Sequence, residues 1–194
     1  MEPETVMDAA LELMDEGALT MRALASRVGL TPGALYTYFP DRAALVSAVA
    51  DRLLAEADLT LLDAPGLSPH DRIESFALAL REVLLRHPAA VPAILGAAFS
   101  GPTALHVGES LLRELSDPRA SYTVMVYVLG AIALEAAELE GPPPPEEERI
   151  ALRRTYLVVD PEAFPLTHAA NDVIAAYIST DQFRWGLRRL LSAP

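Results

Sequence analysis

The segment 19–45 constrains the fold of this chain most, because two short stretches with helical spacing of apolar residues meet there at a single glycine. Thr20 can cap the first helix, since its hydroxyl can accept a hydrogen bond from an otherwise unpaired backbone N–H group. Gly29 can adopt the left-handed conformation that ends a helix and turns the chain. Thr31 followed by Pro32 is typical of a helix start. This arrangement predicts a helix-turn-helix.

The second helix, over residues 31–39, carries groups that suit contact with DNA. Leu35 and Phe39 form its inward face, so its other side chains point elsewhere. Hydroxyl groups could bond phosphates, and flanking arginines would supply the positive charge that DNA binding needs. The hydroxyl-bearing candidates are Thr31, Tyr36, Thr37 and Tyr38, and the charged candidates are Arg22, Arg27 and Arg42. Such a helix can enter the major groove, although helix-turn-helix hairpins also occur as plain structural units.

The run from Thr20 to Leu45 resembles the signature of the tetracycline-repressor (TetR) family of transcriptional regulators. Its core, L-Y-x-[HY]-F-x-x-[KR]-x-x-L, fixes six positions at set spacing and begins here at Leu35. An amphipathic helix ending near Gly17 precedes the motif, and a long helix over residues 41–62 is expected to follow it. The resemblance places Pro32, Gly33 and Ala34 at the start of the recognition helix, where the family reads base edges. It also implies contacts to phosphates or bases from Arg22, Tyr36, Tyr38 and Arg42.

The chain departs from the family pattern at the residues that should read the bases. Pro32, Gly33 and Ala34 carry no hydrogen-bonding side chain, so bidentate recognition of guanine or adenine cannot come from them. Specificity would then depend on Arg22, Thr37, Tyr38, apolar contact with thymine methyl groups, or DNA shape. The charge balance is +2 over residues 20–42, but residues 1–60 hold four Arg and ten acidic residues, a balance of −6. Weak nonspecific binding is therefore expected.

The chain is long enough for two compact helical units. We predict an all-α protein with a three-helix DNA-binding domain over residues 1–45, a connecting helix over 46–64, and a helical effector-binding and dimerisation domain over 65–194. A turn-rich break over residues 63–66 separates the units, and Ser68 with Pro69 starts the next helix. Further helices are predicted over 69–86, 89–99, 102–115, 118–140, 171–178 and 181–191, with 89–99 buried all round, 146–159 helical in its first part and 160–166 as a loop.

Two helices of the second domain carry features of a dimer interface. The helix over 118–140 has a stripe of small residues next to an apolar face, and the last helix holds apolar residues at similar spacing. In the TetR family the last two helices of each subunit usually form a four-helix interface, and the F-x-x-G-L segment from Phe183 resembles that branch. The candidate interface residues are Leu129, Gly130, Ala133, Ala137, Phe183, Leu187 and Leu190. The alternative is that both helices pack only within one subunit.

The same resemblance implies an effector cavity inside the second domain. The candidates are polar or aromatic residues within apolar helices: His87, Phe99, His106, Tyr122, Met125, Glu135 and Trp185. Each could instead be an ordinary core or surface residue. Ile94 stands where the tetracycline branch carries a magnesium-holding His, which argues against magnesium-tetracycline. An uncharged or hydrophobic effector suits the apolar surroundings better.

Several classes of protein are disfavoured by the sequence. It lacks cysteine, a secretory leader and any apolar run of the roughly 18–20 residues needed to span a membrane, so a cytoplasmic location is predicted. Common catalytic and nucleotide-binding motifs are missing, and the four His lack metal-ligand spacing, so neither an enzyme nor a cofactor is expected. We predict a homodimeric regulator, a repressor released from a palindromic operator by a small-molecule effector. The alternative is a helical dimer that binds a small molecule or protein and has little DNA affinity.

Overall fold

The computed structural model describes residues 2–192, and the regular structure in that range is entirely helical, which confirms the all-α prediction. The helices are α1 (Pro3–Asp15), α2 (Met21–Arg27), α3 (Pro32–Leu35), α4 (Arg42–Glu56), α5 (Pro69–Leu85), α6 (Val91–Leu95), α7 (Pro102–Leu115), α8 (Pro118–Ala136), α9 (Glu146–Tyr156), α10 (Pro165–Ala169), α11 (Asn171–Ala175) and α12 (Thr180–Leu191). Within residues 2–192, none of them is long and apolar enough to cross a membrane.

Helices α1 to α3 form the helix-turn-helix domain, and side-chain caps fix where two of them begin. The Thr20 hydroxyl accepts a hydrogen bond from the Ala23 amide at 3.0 Å, and the Thr31 hydroxyl accepts one from the Ala34 amide at 3.2 Å. Gly29 has a φ of +69° and turns the chain between α2 and α3. The predicted helix-turn-helix is confirmed. It could be predicted because its helix starts and its turn depend on interactions between residues that are close in sequence.

The core of this domain is continuous with α4. Leu24 on α2, Leu35 on α3 and Leu45 on α4 are all completely buried. Asp41 caps α4 by accepting a hydrogen bond from the Ala44 amide at 2.7 Å. These residues belong to one buried apolar cluster, so α2, α3 and α4 share a core.

Helix α4 ends at Glu56, six residues before the predicted end at residue 62. Ala57 is extended and buried, and the Asp58 side chain accepts a hydrogen bond from the Thr60 amide at 3.0 Å to start a 3-10 helix over Leu59–Asp63. The apolar pattern continues through both pieces, so periodicity alone did not reveal the break.

The C-terminal domain packs α5, α7, α8 and α12 around a shared core. Ser68 caps α5 as predicted, by accepting a hydrogen bond from the Asp71 amide at 3.2 Å. The single buried helix predicted over 89–99 is wrong. The chain instead forms a 3-10 turn over Pro88–Ala90, then the short α6, then irregular structure over 96–100 with Leu95 and Ala98 exposed. Two prolines and a glycine in this stretch interrupt helical hydrogen bonding.

Later boundaries also differ from the predicted ones. Helix α8 ends at Ala136 instead of residue 140, whereas α9 ends at Tyr156 and confirms that 146–159 is helical in its first part. The predicted loop over 160–166 ends two residues early, because the short helix α10 begins inside it at Pro165. Proline in the first helical position is a helix start signal, and Pro165 provides this signal in the sequence.

A buried cluster of ion pairs joins four helices. Glu135 on α8 lies 2.7 Å from Arg81 on α5 and 2.7 Å from Arg149 on α9. Glu146 accepts hydrogen bonds from the amide (2.7 Å) and hydroxyl (2.8 Å) of Thr180 at the start of α12. Burial alone raises the pKa of Glu146, but the two Thr180 hydrogen bonds and the positive charges of Arg81 and Arg149 outweigh it and lower that pKa. The cluster therefore favours the ionised form of Glu146.

Polar contacts also join the two domains. His87, at the end of α5, lies with its Nδ1 2.7 Å from a carboxylate oxygen of Asp15 on α1. Arg86 lies 2.8 Å from Glu56 at the end of α4. These contacts connect the C-terminal domain to the helices that carry α2 and α3.

Candidate nucleic-acid interface and ligand cavity

The exposed surface around α3 begins with residues that lack polar side-chain groups and continues with residues that carry hydroxyl groups. Pro32 and Gly33 are exposed, and 49% of the Tyr36 surface is accessible. The Thr31 hydroxyl oxygen accepts from the Ala34 amide, which leaves its proton free to donate. The Thr37 hydroxyl donates to the Ala34 carbonyl at 2.7 Å, so its remaining capacity is to accept. The two threonines are thus prepared for different partners.

The arginines around this helix differ in their partners. Arg22 and Arg42 are exposed, and neither forms an ion pair with any of residues 2–192. Arg27 instead binds Glu12 on α1 at 3.2 Å and Glu16, the C-cap residue of α1, at 2.8 Å. The hydrogen bond from Arg27 holds the pKa of Glu16 below its ordinary value. In the DNA-free protein Arg27 therefore links α2 to α1, and its contact with DNA stays a prediction.

An apolar cavity of about 290 Å³ lies inside the C-terminal domain, where four helices meet. This volume is close to the lower end of the range for small-molecule sites, roughly 300 Å³. Its lining residues are Leu54 on α4, Ile73, Phe76, Ala77 and Leu80 on α5, Phe99, then Ala104, Leu105, Val107, Gly108, Glu109, Leu111 and Leu112 on α7, and Val124, Met125, Val128 and Leu129 on α8. Glu109 is the single ionisable residue of this lining, and it has no hydrogen-bond or ion-pair partner within residues 2–192.

Comparison with known proteins identifies the family on both domains. The family model for bacterial regulatory proteins of the tetR family matches residues 6–49. The model for the tetracyclin repressor-like C-terminal domain matches residues 64–193, about two thirds of the chain. This chain belongs to the TetR family. It is a DNA-binding transcriptional regulator, and the match favours that function over a helical dimer with little DNA affinity.

Relatives of this TetR regulator include repressors of known name. Tetracycline repressor protein class D of Escherichia coli is 28% identical over 193 residues, which cover 97% of this chain and 86% of the repressor. The transcriptional repressor KstR of Mycolicibacterium smegmatis is 32% identical over 128 residues, covering 58% of this chain and 62% of KstR. A TetR transcriptional regulator from Streptomyces coelicolor is 29% identical, with a TM-score of 0.74, and covers 99% of this chain and 96% of its own.

Two of the seven residues predicted to bind the effector of this TetR regulator, Phe99 and Met125, line the cavity. The other five need correction. His106, Tyr122 and Trp185 are exposed and lie outside the lining. His87 is held by Asp15, and Glu135 is neutralised by Arg81 and Arg149. In this protein, a polar residue in an apolar helix therefore indicated an ion pair or an exposed face. This agrees with the alternative that the candidates are ordinary core or surface residues.

The predicted dimer residues separate into three groups. Phe183 and Leu187 are buried within the protomer, against α5 and α8, so their assignment to an interface is corrected. Leu129 lines the cavity and Leu190 is half-buried. Gly130, Ala133 and Ala137 on α8 stay accessible, fully or in part. The glycine of the F-x-x-G-L segment is required by packing, because a Cβ atom at Gly186 would overlap with the Tyr127 side chain on α8.

The sequence analysis missed most of the cavity lining. Residues such as Leu54, Phe76 and Leu80 are ordinary core residues by pattern, and only the way four helices meet distinguishes them. The one available signal was Glu109, an acidic residue among Leu and Val on α7, which was not singled out. The exposed stripe on α8 formed by Val126 and Leu134 was also missed.

Proposed function

We propose that this regulator is a homodimeric repressor that leaves its operator when a small apolar molecule enters the cavity. The observation that carries the proposal is that α4 belongs to both sites. It begins at Arg42, one of the predicted DNA contacts, and Leu54 near its other end lines the cavity. An effector that binds one position of α4 better than another shifts the population of that position. We infer that α3 follows α4 through their shared core, so that operator affinity changes with the position of α4.

The cavity favours an effector that is apolar and either uncharged or positively charged. Its lining holds a single carboxylate, on Glu109, and no positively charged group. An anion would lose hydration on entry without gaining a compensating charge, and the net charge of −12 adds to that cost. A neutral ring system such as N-phenyl-1-naphthylamine should therefore bind more tightly than its 8-sulfonate analogue. Tighter binding of the sulfonate would contradict this assignment.

The proposed dimer uses the exposed face of α8. Tyr122, Val126, Gly130 and Leu134 are four residues apart in turn and form one accessible stripe, with Leu134 66% exposed. Trp185 on α12 is also exposed and lies under the guanidinium of Arg189, 5.4 Å from its ring centre. Apolar stripes of this extent favour an interface. A twofold dimer would place two α3 helices about 34–36 Å apart on DNA.

We further propose separate roles for the polar groups of the DNA-binding surface. The free proton of Thr31 suits a phosphate oxygen, and Arg22 and Arg42 supply unpaired positive charge for the backbone or base edges. The Thr37 hydroxyl can only accept, so it suits the exposed amino group of adenine or cytosine in the major groove. Tyr36 and Tyr38 complete the contact surface. Sequence preference would otherwise come from thymine methyl groups at Ala34 and from DNA shape.

The first experiment selects bound DNA from a random pool and measures its affinity by fluorescence polarisation. Arg42→Ala should weaken binding and reduce the slope of log affinity against log salt by about 1. Tyr36→Ala should also weaken binding while the dimer remains intact. Arg119→Ala is the matched control, because Arg119 is exposed and unpaired within residues 2–192 but lies at the start of α8. Unchanged affinity in both test variants would refute this interface.

A further inference from the structure

Helix α7 receives its N-terminal cap from another helix. The residue before α7 is Gly101, which has no side chain to accept hydrogen bonds from the first turn. Asp51 on α4 takes this role: its Oδ1 accepts from the Ala104 amide at 2.8 Å, and its Oδ2 accepts from the Thr103 amide at 3.3 Å. A carboxylate is favoured there because the first N–H groups lack partners and the helix dipole is positive at that end.

Gly101 makes room for this cap. A Cβ atom at position 101 would overlap with the Asp51 carboxyl group. The φ of Gly101 is −71°, which any residue can adopt, so the requirement is for space and not for backbone freedom. Asp51 and Gly101 are therefore both required for the cap. Either a shorter side chain at position 51 or a larger one at position 101 would remove it.

The cap lies in the wall of the cavity. Leu54 follows Asp51 by one helical turn on α4, and Ala104, whose amide is bound, also lines the cavity. Phe99 lines it just before the cap. A molecule that separates α4 from α7 therefore acts on the Asp51 hydrogen bonds directly.

The next residue of α4 connects the cap to the DNA-binding domain. Arg52 lies 2.5 Å from Asp8 on α1 and 3.8 Å from Glu56 on its own helix. Two consecutive residues of α4 thus bind α7 on one side and α1 on the other. A shift of α4 at this point reaches the helix-turn-helix through both α1 and the α3–α4 connection.

We propose that Asp51 is a positioning residue that couples the cavity to the operator, and this rests on the effector-dependent repression proposed above. With the cavity empty, the Asp51 hydrogen bonds hold α4 against α7 in the DNA-binding arrangement. An effector that loosens them releases α4. Because coupling between binding sites is reciprocal, operator DNA strengthens the same hydrogen bonds and lowers the affinity of the cavity for its ligand.

The test measures the dissociation constant of N-phenyl-1-naphthylamine with and without saturating selected operator DNA. In the wild-type protein operator should weaken probe binding by a factor in the usual allosteric range, about 5–150-fold. Asp51→Ala should bring that ratio close to 1 while each ligand alone still binds. Asp51→Asn retains one acceptor oxygen and should give an intermediate ratio. Gly101→Ala should reproduce Asp51→Ala and add nothing to it in the double variant.

Asp117→Ala is the matched control. Asp117 caps α8, which also lines the cavity, by accepting from the Arg119 amide at 2.8 Å, and within residues 2–192 it forms no hydrogen bond or ion pair with α4. This variant loses a cap of the same kind, and its ratio should equal that of the wild type. A wild-type ratio in Asp51→Ala would overturn the coupling role and leave the proposed function standing. A ratio of 1 in the wild-type protein would overturn both.

Discussion

At the scale of single residues, what an arginine does in this protein depends on the carboxylates within its reach. Arg22 and Arg27 lie on the same short helix, five residues apart. Only Arg27 faces α1, where it binds Glu12 and Glu16. The sequence showed three arginines near a recognition helix but not which of them were already neutralised, because that depends on the packing of α1 against α2.

This difference predicts distinct behaviour on DNA. Arg22→Ala should weaken operator binding and reduce the salt slope by about 1, since a group free to contact phosphate is lost. Arg27→Ala should leave the slope unchanged, because its charge is already balanced by α1. Polarisation titrations at several salt concentrations measure both slopes. A slope that falls for Arg27→Ala but not for Arg22→Ala would reverse the assignment.

The buried cluster predicts a large cost at Glu135. Glu135→Gln removes the charge between Arg81 and Arg149, and breaking a buried pair by removing one partner typically costs about 3–5 kcal/mol. The matched control is Glu138→Gln, whose carboxylate binds Arg153 at 2.6 Å near the surface, where a pair contributes about 1 kcal/mol or less. Urea unfolding monitored by circular dichroism compares the two. Equal losses would contradict a special role for the cluster.

At the scale of helices, starts were more predictable than ends and packing faces. Thr20, Thr31, Asp41 and Ser68 each cap a helix within three residues of their own position, so the sequence contains the whole interaction. The end of α4 and the break-up of 89–99 are decided by burial against other helices. The cavity was least predictable, because it exists only where α4, α5, α7 and α8 fail to fill the space between them.

The α8 stripe predicts how the dimer can be separated. Leu134→Glu places a charge at the most exposed apolar position of the stripe, so it should yield monomers that no longer bind a palindromic operator. Leu67→Glu is the control, since Leu67 is exposed before α5, outside the stripe. Sedimentation and operator titration measure both properties. Dimers that persist in Leu134→Glu and in Val126→Glu would place the interface elsewhere.

At the scale of the whole molecule, the free energy of unfolding should depend on pH because of the ion-pair cluster that joins α5, α8, α9 and α12. The pKa of Glu146 is lowered in the fold, so its ionised form stabilises the protein above the unfolded-chain pKa of about 4.3. This contribution is lost as pH falls through the folded pKa. Glu146→Gln should be less stable than wild type at pH 7, and the difference should shrink as the pH falls below about 4.3 through the folded pKa. Urea midpoints across this range provide the measurement, and a constant difference would contradict it.

The first residues of α3 carry no hydrogen-bonding side chains, and this affects how the protein could acquire new DNA sequence preferences. A Cβ atom at Gly33 would meet nothing within 4 Å, and its φ is not in the left-handed region. A long polar side chain could therefore be added at position 33 without displacing any contact that the fold depends on. If α3 meets the DNA as proposed, a side chain at position 33 would add a base contact without replacing an existing one. A library at residue 33 should give binders with added sequence preferences at little cost in stability, which makes the chain a favourable starting point for engineered repressors.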